Sequence, residues 1–188
     1  MHGFAAFSFF DWTREMTRAQ ALPLLTLGEA AAIEPRSNAQ FSTGVRAMLH
    51  WCRVNEQLTL ERHARDARVF AGFERMSRVR PVLKRYRRLA VAAQRLVVFG
   101  EHDDRLPLPC ELVDVAGSPL AREWFLVIDA PAYKALLAAR DLDGFGPTGP
   151  LVGRRFAGVT LHDGALITRA ADELARQCAA LSGKRARD

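Results

Sequence analysis

The chain has 188 residues, 49% hydrophobic and 26% charged, which is the make-up of a soluble globular protein able to bury a sizeable core. No apolar run approaches the roughly 20 residues a membrane-spanning helix needs, and three widely spaced cysteines, Cys52, Cys110 and Cys178, argue against a disulfide framework or zinc site and for a reducing, cytoplasmic compartment. The net charge of +6 is uneven: residues 1–100 carry 16 Lys and Arg against 8 Asp and Glu, and residues 101–188 carry 11 against 13, so a nucleic-acid partner has to be weighed.

Residues 1–36 read as an N-terminal arm or accessory segment, with an aromatic cluster (Phe4, Phe7, Phe9, Phe10, Trp12) followed by "LPLLTLGEAA" and Pro35. The apolar start lacks a basic n-region and a cleavage site, so it is not read as a signal peptide. It completes its own domain or a dimer. Residues 37–182 form one domain, and 183–188 a disordered basic tail.

From Ser37 the apolar positions Phe41, Val45, Met48, Leu49 and Cys52 follow a helical period, with Ser37 or Asn38 as N-cap. "RVFAGFE" (68–74) is a strand weakened by Gly72. Pro81 suits the first turn of a helix whose apolar face is Val82, Tyr86, Leu89, Ala90 and Ala93, leaving Lys84, Arg87 and Arg88 towards solvent. "RLVVFG" (95–100) is a buried strand ended by Gly100. "LPLP" is a loop, and "ELVDV" (111–115) alternates as a half-buried strand. "REWFLVID" (122–129) is the most strand-like run, Pro131 opens a helix to about Arg140, "RRFAGVTL" (154–161) is a strand, and 164–181 an amphipathic helix with Leu166, Ile167, Leu174 and Cys178. The sum is an α+β fold: a mixed or antiparallel sheet of four to five strands with helices packed on it.

Each chemical motif competes with a plainer reading. "GFGPTG" matches the dinucleotide fingerprint letter for letter, but it follows a predicted helix, contains Pro147 and leads into a strand, so it is a loop. "GEHDD" puts Glu101, His102, Asp103 and Asp104 at a strand end. A solvated acidic turn is the plain reading, and a divalent metal or partner contact at Glu101, His102 and Asp103 the other, with His162–Asp163 at the same sheet edge. Arg75 to Arg88 holds seven basic residues in 14, as a phosphate-gripping helix would, yet no helix-turn-helix, zinc finger or RNA-recognition motif accompanies it, so a solvated face or interface salt bridges is the plain reading, and nucleic acid, an acidic protein or an anionic ligand the others. No catalytic motif is present, and nothing identifies a cofactor. Phe73, Tyr86, Phe99, Trp124, Phe125 and Phe156 read as core, with Tyr86 and Trp124 able to line a small-molecule pocket.

Three stretches, "VFAGFERM…RYRRLAVAAQRLVVFG", "PLAREWFLVIDAPAYKALLAARDL" and "RRFAGVTLHDGALI", resemble in order and spacing the bacterial DICT sensory domain over residues 40–181. The best-fitting pieces are Arg85-Tyr86 with Leu89-Ala90, Val98-Phe99-Gly100 and Glu123-Trp124-Phe125. The resemblance implies an α+β fold around a four-stranded sheet, a sensory input role and, as suggested for the family, a response to light. With no output domain evident, the expectation is a non-enzymatic cytoplasmic sensor or adaptor acting on a signalling protein, a small-molecule ligand or a homodimer, without a membrane. Arg85, Tyr86, Arg88 and Trp124 are the binding candidates. A nucleic-acid-binding regulator using the basic first half is the alternative, and a metal-dependent enzyme at Glu101–Asp104 and His162 a third reading.

Overall fold

Amphipathic helices placed before, among and after runs of successive apolar strands cover one sheet on both faces. A computed structural model describes residues 7–26, 33, 38–143 and 153–185. The elements run α1 (Phe9–Thr17), β1 (Leu24–Thr26), β2 (Ala39–Gly44), α2 (Val45–Leu58), β3 (Arg68–Arg75), α3 (Leu83–Ala92), β4 (Arg95–Glu101), β5 (Glu111–Asp114), β6 (Glu123–Ala130), β7 (Tyr133–Asp141), β8 (Arg155–Leu161) and α4 (Gly164–Arg185). A π turn (Thr59–His63) prolongs α2, and a 3-10 turn (Met76–Val82) containing Pro81 leads into α3. Phe4, Pro35, Ser37 and the glycine run 144–149 lie outside the described residues.

The eight strands form one mixed sheet in the order β1-β2-β8-β7-β6-β3-β4-β5. β3, β4 and β5 are mutually parallel, while β6, β7, β8 and β2 pair antiparallel in succession. Strand alternation splits the core into two faces. Val69, Ala71, Val98, Leu126, Leu137 and Phe156 point to the layer of α2 and α3. Phe70, Val97, Phe99, Phe125, Val127 and Val159 point to the layer of α1 and α4. Each fully buried large aliphatic contributes about 1.5–3 kcal/mol.

Several expectations are corrected. The α+β class holds, but the sheet has eight strands rather than four to five. The helix placed from Pro131 to Arg140 is β7: Ala130 pairs with Tyr133 across the two-residue turn Pro131-Ala132, and the strand is hydrogen-bonded on both sides. "YKALLAAR" is composed of strong helix formers, and a central position between β6 and β8 overrides that propensity. The helix read from Ser37 begins only at Val45, after β2, with Gly44 at its N-cap; Asn38 instead accepts a hydrogen bond from the His162 amide at 2.6 Å. Gly72 lies inside β3, an interior strand, at the point where pairing with β6 ends and the register with β4 shifts before Arg75. Its register partner Phe125 lays its ring over the glycine, and a Cβ there would stand 2.2 Å from Phe125 Cε1. Gly158 opposite Phe41 repeats the arrangement, so these glycines are sites where an aromatic covers bare backbone.

On the outer face α1 is held electrostatically as well as by Phe9 and Phe10. The Glu123 carboxylate, 1% exposed, accepts the amides of Phe9 (2.9 Å) and Phe10 (3.1 Å) and the Ser8 hydroxyl (2.5 Å). A carboxylate there satisfies first-turn amides that have no intrahelical partner. Arg140 joins it, donating to Ser8 Oγ (2.8 Å) and Asp11 (2.6 Å).

Candidate functional site

α2 turns Val45, Met48, Cys52, Asn55 and Glu56 inwards, at the spacing of one helical stripe. α3 contributes Tyr86 and Leu89. Where these helices meet the sheet, a cavity of about 20 Å³ remains, room for about one water. Cys52, Glu56, Phe73, Arg85, Tyr86 and Trp124 line it, together with the partly exposed Leu49 and Val82.

The centre of this site is Glu56, a carboxylate 2% exposed. Tyr86 Oη donates to its Oε1 at 2.7 Å, and Arg85 Nε donates to its Oε2 in an ion pair. Burial pushes the Glu56 carboxyl above its ordinary pKa, while Arg85 and Tyr86 pull it back. Burial, together with Glu56, holds the Tyr86 phenol well above its usual value, so Tyr86 remains a donor. The Cys52 thiol is also pushed up, first by burial and then by Glu56, and Trp124 hydrogen-bonds its sulfur. Such a cysteine is a packing group, not a thiolate nucleophile. Phe73 meets the Tyr86 ring edge-on at 5.4 Å and tilts against Trp124 at 6.0 Å.

Three of the four sequence-predicted binding residues, Arg85, Tyr86 and Trp124, therefore border one cavity. Arg88 does not. It is exposed on the outer side of α3, and neither it nor Lys84 has an acidic partner among the described residues. Glu56 and Cys52 were missed, although the spacing signals them: an acid four residues after Cys52 falls on the apolar stripe begun by Val45.

The rest of the basic run serves the chain itself. Arg75 lies 3.6 Å from Glu101, Arg78 3.5 Å from the buried Glu74, and Arg80 2.5 Å from Asp104. Arg87 donates to the Pro107 carbonyl at 3.3 Å. Asp103 accepts from the Ser77 amide (2.9 Å) and hydroxyl (2.5 Å), so the acidic turn after β4 clamps the 3-10 turn ahead of α3. The hydrogen bond from Arg80 holds the Asp104 carboxyl below its ordinary pKa. His102 is exposed. His162 follows β8, which runs antiparallel to β4 in the sheet, so the expected neighbourhood with the acidic turn is wrong: the two lie at opposite ends. Among the described residues no three His, Cys, Asp or Glu side chains are grouped to hold a metal ion.

A family model described as the sensory domain in diguanylate cyclases and two-component systems, DICT, matches residues 26–142. The match starts before the expected span and stops ahead of β8, the strand that carries the third resembling stretch. No curated protein and no solved structure matches the chain.

Proposed function

The chain belongs to the DICT family of sensory domains, and from that premise we propose that it is a non-catalytic, cytoplasmic input module whose signal acts where α2 and α3 meet the sheet. The observation that carries the reading is the Glu56–Arg85–Tyr86 cluster at the wall of a small cavity. Glu56 ties α3 to α2 through two side chains of α3. A ligand with an anionic group for Arg85 and a flat apolar body for Phe73 and Trp124 competes with that tie. Because the cavity holds only about one water, a larger guest enters only as α3 shifts, and binding then selects a second arrangement of the helix layer. The output is a signalling protein or a second copy of the chain. Free, reduced cysteines support the compartment, and among the described residues no helix is long and apolar enough to cross a membrane.

The alternative, a grip on nucleic acid by the basic run, is less favoured, because five of its seven cations already bind groups of the chain. Native mass spectrometry, set against the denatured mass, tests the ligand reading. Non-covalent mass carried by the wild type and missing from Glu56→Gln supports the site. Mass retained by the variant places the ligand elsewhere, and a clean apo mass in both removes a retained ligand or chromophore.

A further inference from the structure

The two helical layers differ in charge. On the α1/α4 face, Arg14, Arg18, Arg169 and Arg176 are matched by Asp11, Glu15, Asp172 and Glu173. Arg18 and Arg176 form ion pairs within their own helices, and Asp172 pairs with Arg68. On the α2/α3 face, Arg46, Arg53, Arg62, Arg65, Lys84 and Arg88 are exposed, and none has an ion-pair partner among the described residues. The exposed acids on those helices and the turns after α2 are Glu61 and Asp66. Two large apolar side chains stand out on the same face, Leu49 at 40% and Val91 at 81% exposure.

This face is also concave. A groove of about 350 Å³ runs along α2, floored by Val54 and Leu58 and rimmed by His50, Arg53, Gln57 and Glu61. Arg46 and Arg53 are two helical turns apart, about 10 Å along the axis. Duplex DNA presents a negative charge every ~1.7 Å of its axis, far denser than this pattern. A second helix with carboxylates seven residues apart matches it in both spacing and sign.

We infer that the α2/α3 face is the docking surface for an acidic amphipathic helix of a partner protein, with its apolar side chains in the Val54–Leu58 groove and its carboxylates on Arg46 and Arg53. Arg46 and Arg53 place the acidic half over the first two turns of α2, and Glu61, the acid lining the groove, lies at its far end. Lys84 and Arg88 on α3 extend the positive field that steers the encounter. None of these six cations lines the cavity, but Leu49 belongs to both its wall and this face, so the docking surface adjoins the ligand site.

The test is fluorescence anisotropy of a labelled amphipathic peptide of about 20 residues, with Glu at i and i+7 followed by Leu at i+8 and i+12, titrated with the full chain. A scrambled peptide of the same composition and a duplex DNA are compared. Binding of the patterned peptide should weaken about tenfold or more in Arg53→Glu with Arg88→Glu, and similarly as salt rises from about 0.05 to about 0.3 M. The opposite-face pair Arg18→Glu with Arg169→Glu should leave it unchanged. Both variants alter exposed positions, and matching melting temperatures check that the fold is kept. No binding at millimolar peptide, equal binding of the scramble, tighter binding of the duplex, or equal loss in both variants would each overturn the assignment.

Discussion

Replacing Tyr86 by Phe removes one oxygen and tests whether Glu56 is held as described. The lost bond is a 2.7 Å donation to a buried carboxylate, a class worth about 1.5–3 kcal/mol. For a chain of this size each kcal/mol moves the melting temperature by roughly 2–4 °C, so a fall of about 3–12 °C is expected at neutral pH. The pH dependence carries a second signature. Because burial raises the Glu56 pKa above its ordinary 4.5, between 4.5 and that raised value the folded protein keeps a proton that the unfolded chain has released. Stability from this group is therefore full below 4.5 and is lost as pH rises through the raised value. Tyr86 favours the ionised form, so removing its donation raises the folded pKa further and lengthens that loss. Thermal melts followed by circular dichroism should show a deficit that is small at about pH 4 and widens toward about pH 8. A deficit below about 1 °C, or one that narrows as pH rises, refutes the account of the cluster.

Gly158→Ala puts a Cβ 2.1 Å from Phe41 Cζ and should cost about 1–3 kcal/mol in denaturant unfolding; most of that cost should vanish in a Phe41→Leu background, and no rescue would mean the ring is not the obstacle. Glu123→Gln weakens the seat of α1, so amide exchange across Phe9–Thr17 should quicken roughly tenfold while β6 and β7 stay protected; exchange at the wild-type rate would deny the carboxylate that role. For Asp129, burial works against the carboxylate, but hydrogen bonds from Lys134, Arg68 and Thr168 outweigh it and hold its pKa below 3.8. Its stabilisation is present above that value and is lost as pH falls through the lowered one. Asp129→Asn should therefore be less stable than wild type at neutral pH and converge with it in acid, and parallel acid-unfolding curves would contradict the assignment.

Elements whose local preference agrees with their place were legible in the sequence. β3, β6 and β8 are rich in β-branched or aromatic residues, and α3 and α4 carry clean apolar stripes. β7 was not, because Lys, Ala, Leu and Arg favour a helix and only the neighbouring strands make it extended. β2 was absorbed into the following helix because Phe41 falls in phase with Val45 and Met48, so the turn of direction at Gly44 left no mark in the periodicity. Arg85, Tyr86 and Trp124 were singled out from aromatic and basic character alone; what joins Arg85 and Tyr86 is Glu56, about 30 residues earlier, while Trp124 reaches Tyr86 through the Phe73 ring, and pairings at such range have no local signature. For the basic run the sequence shows the cations but not their partners: Glu74, Asp104 and Glu56, which answer Arg78, Arg80 and Arg85, lie outside it.

The position of β8 bears on where this domain can be cut. Among the described residues β2 pairs with β1 and β8 alone, and β7 has β8 on one side and β6 on the other. The family match ends at residue 142, before β8 begins. A fragment trimmed to the matched span would lose β1 except for Thr26, leave β2 with no ladder to the remaining strands, and bare the flank of a nine-residue, largely buried strand, the kind of open edge that recruits other chains. Any truncation meant to keep the observed ladder has to run on at least to Leu161, and one meant to cover the outer core has to carry α4 as well.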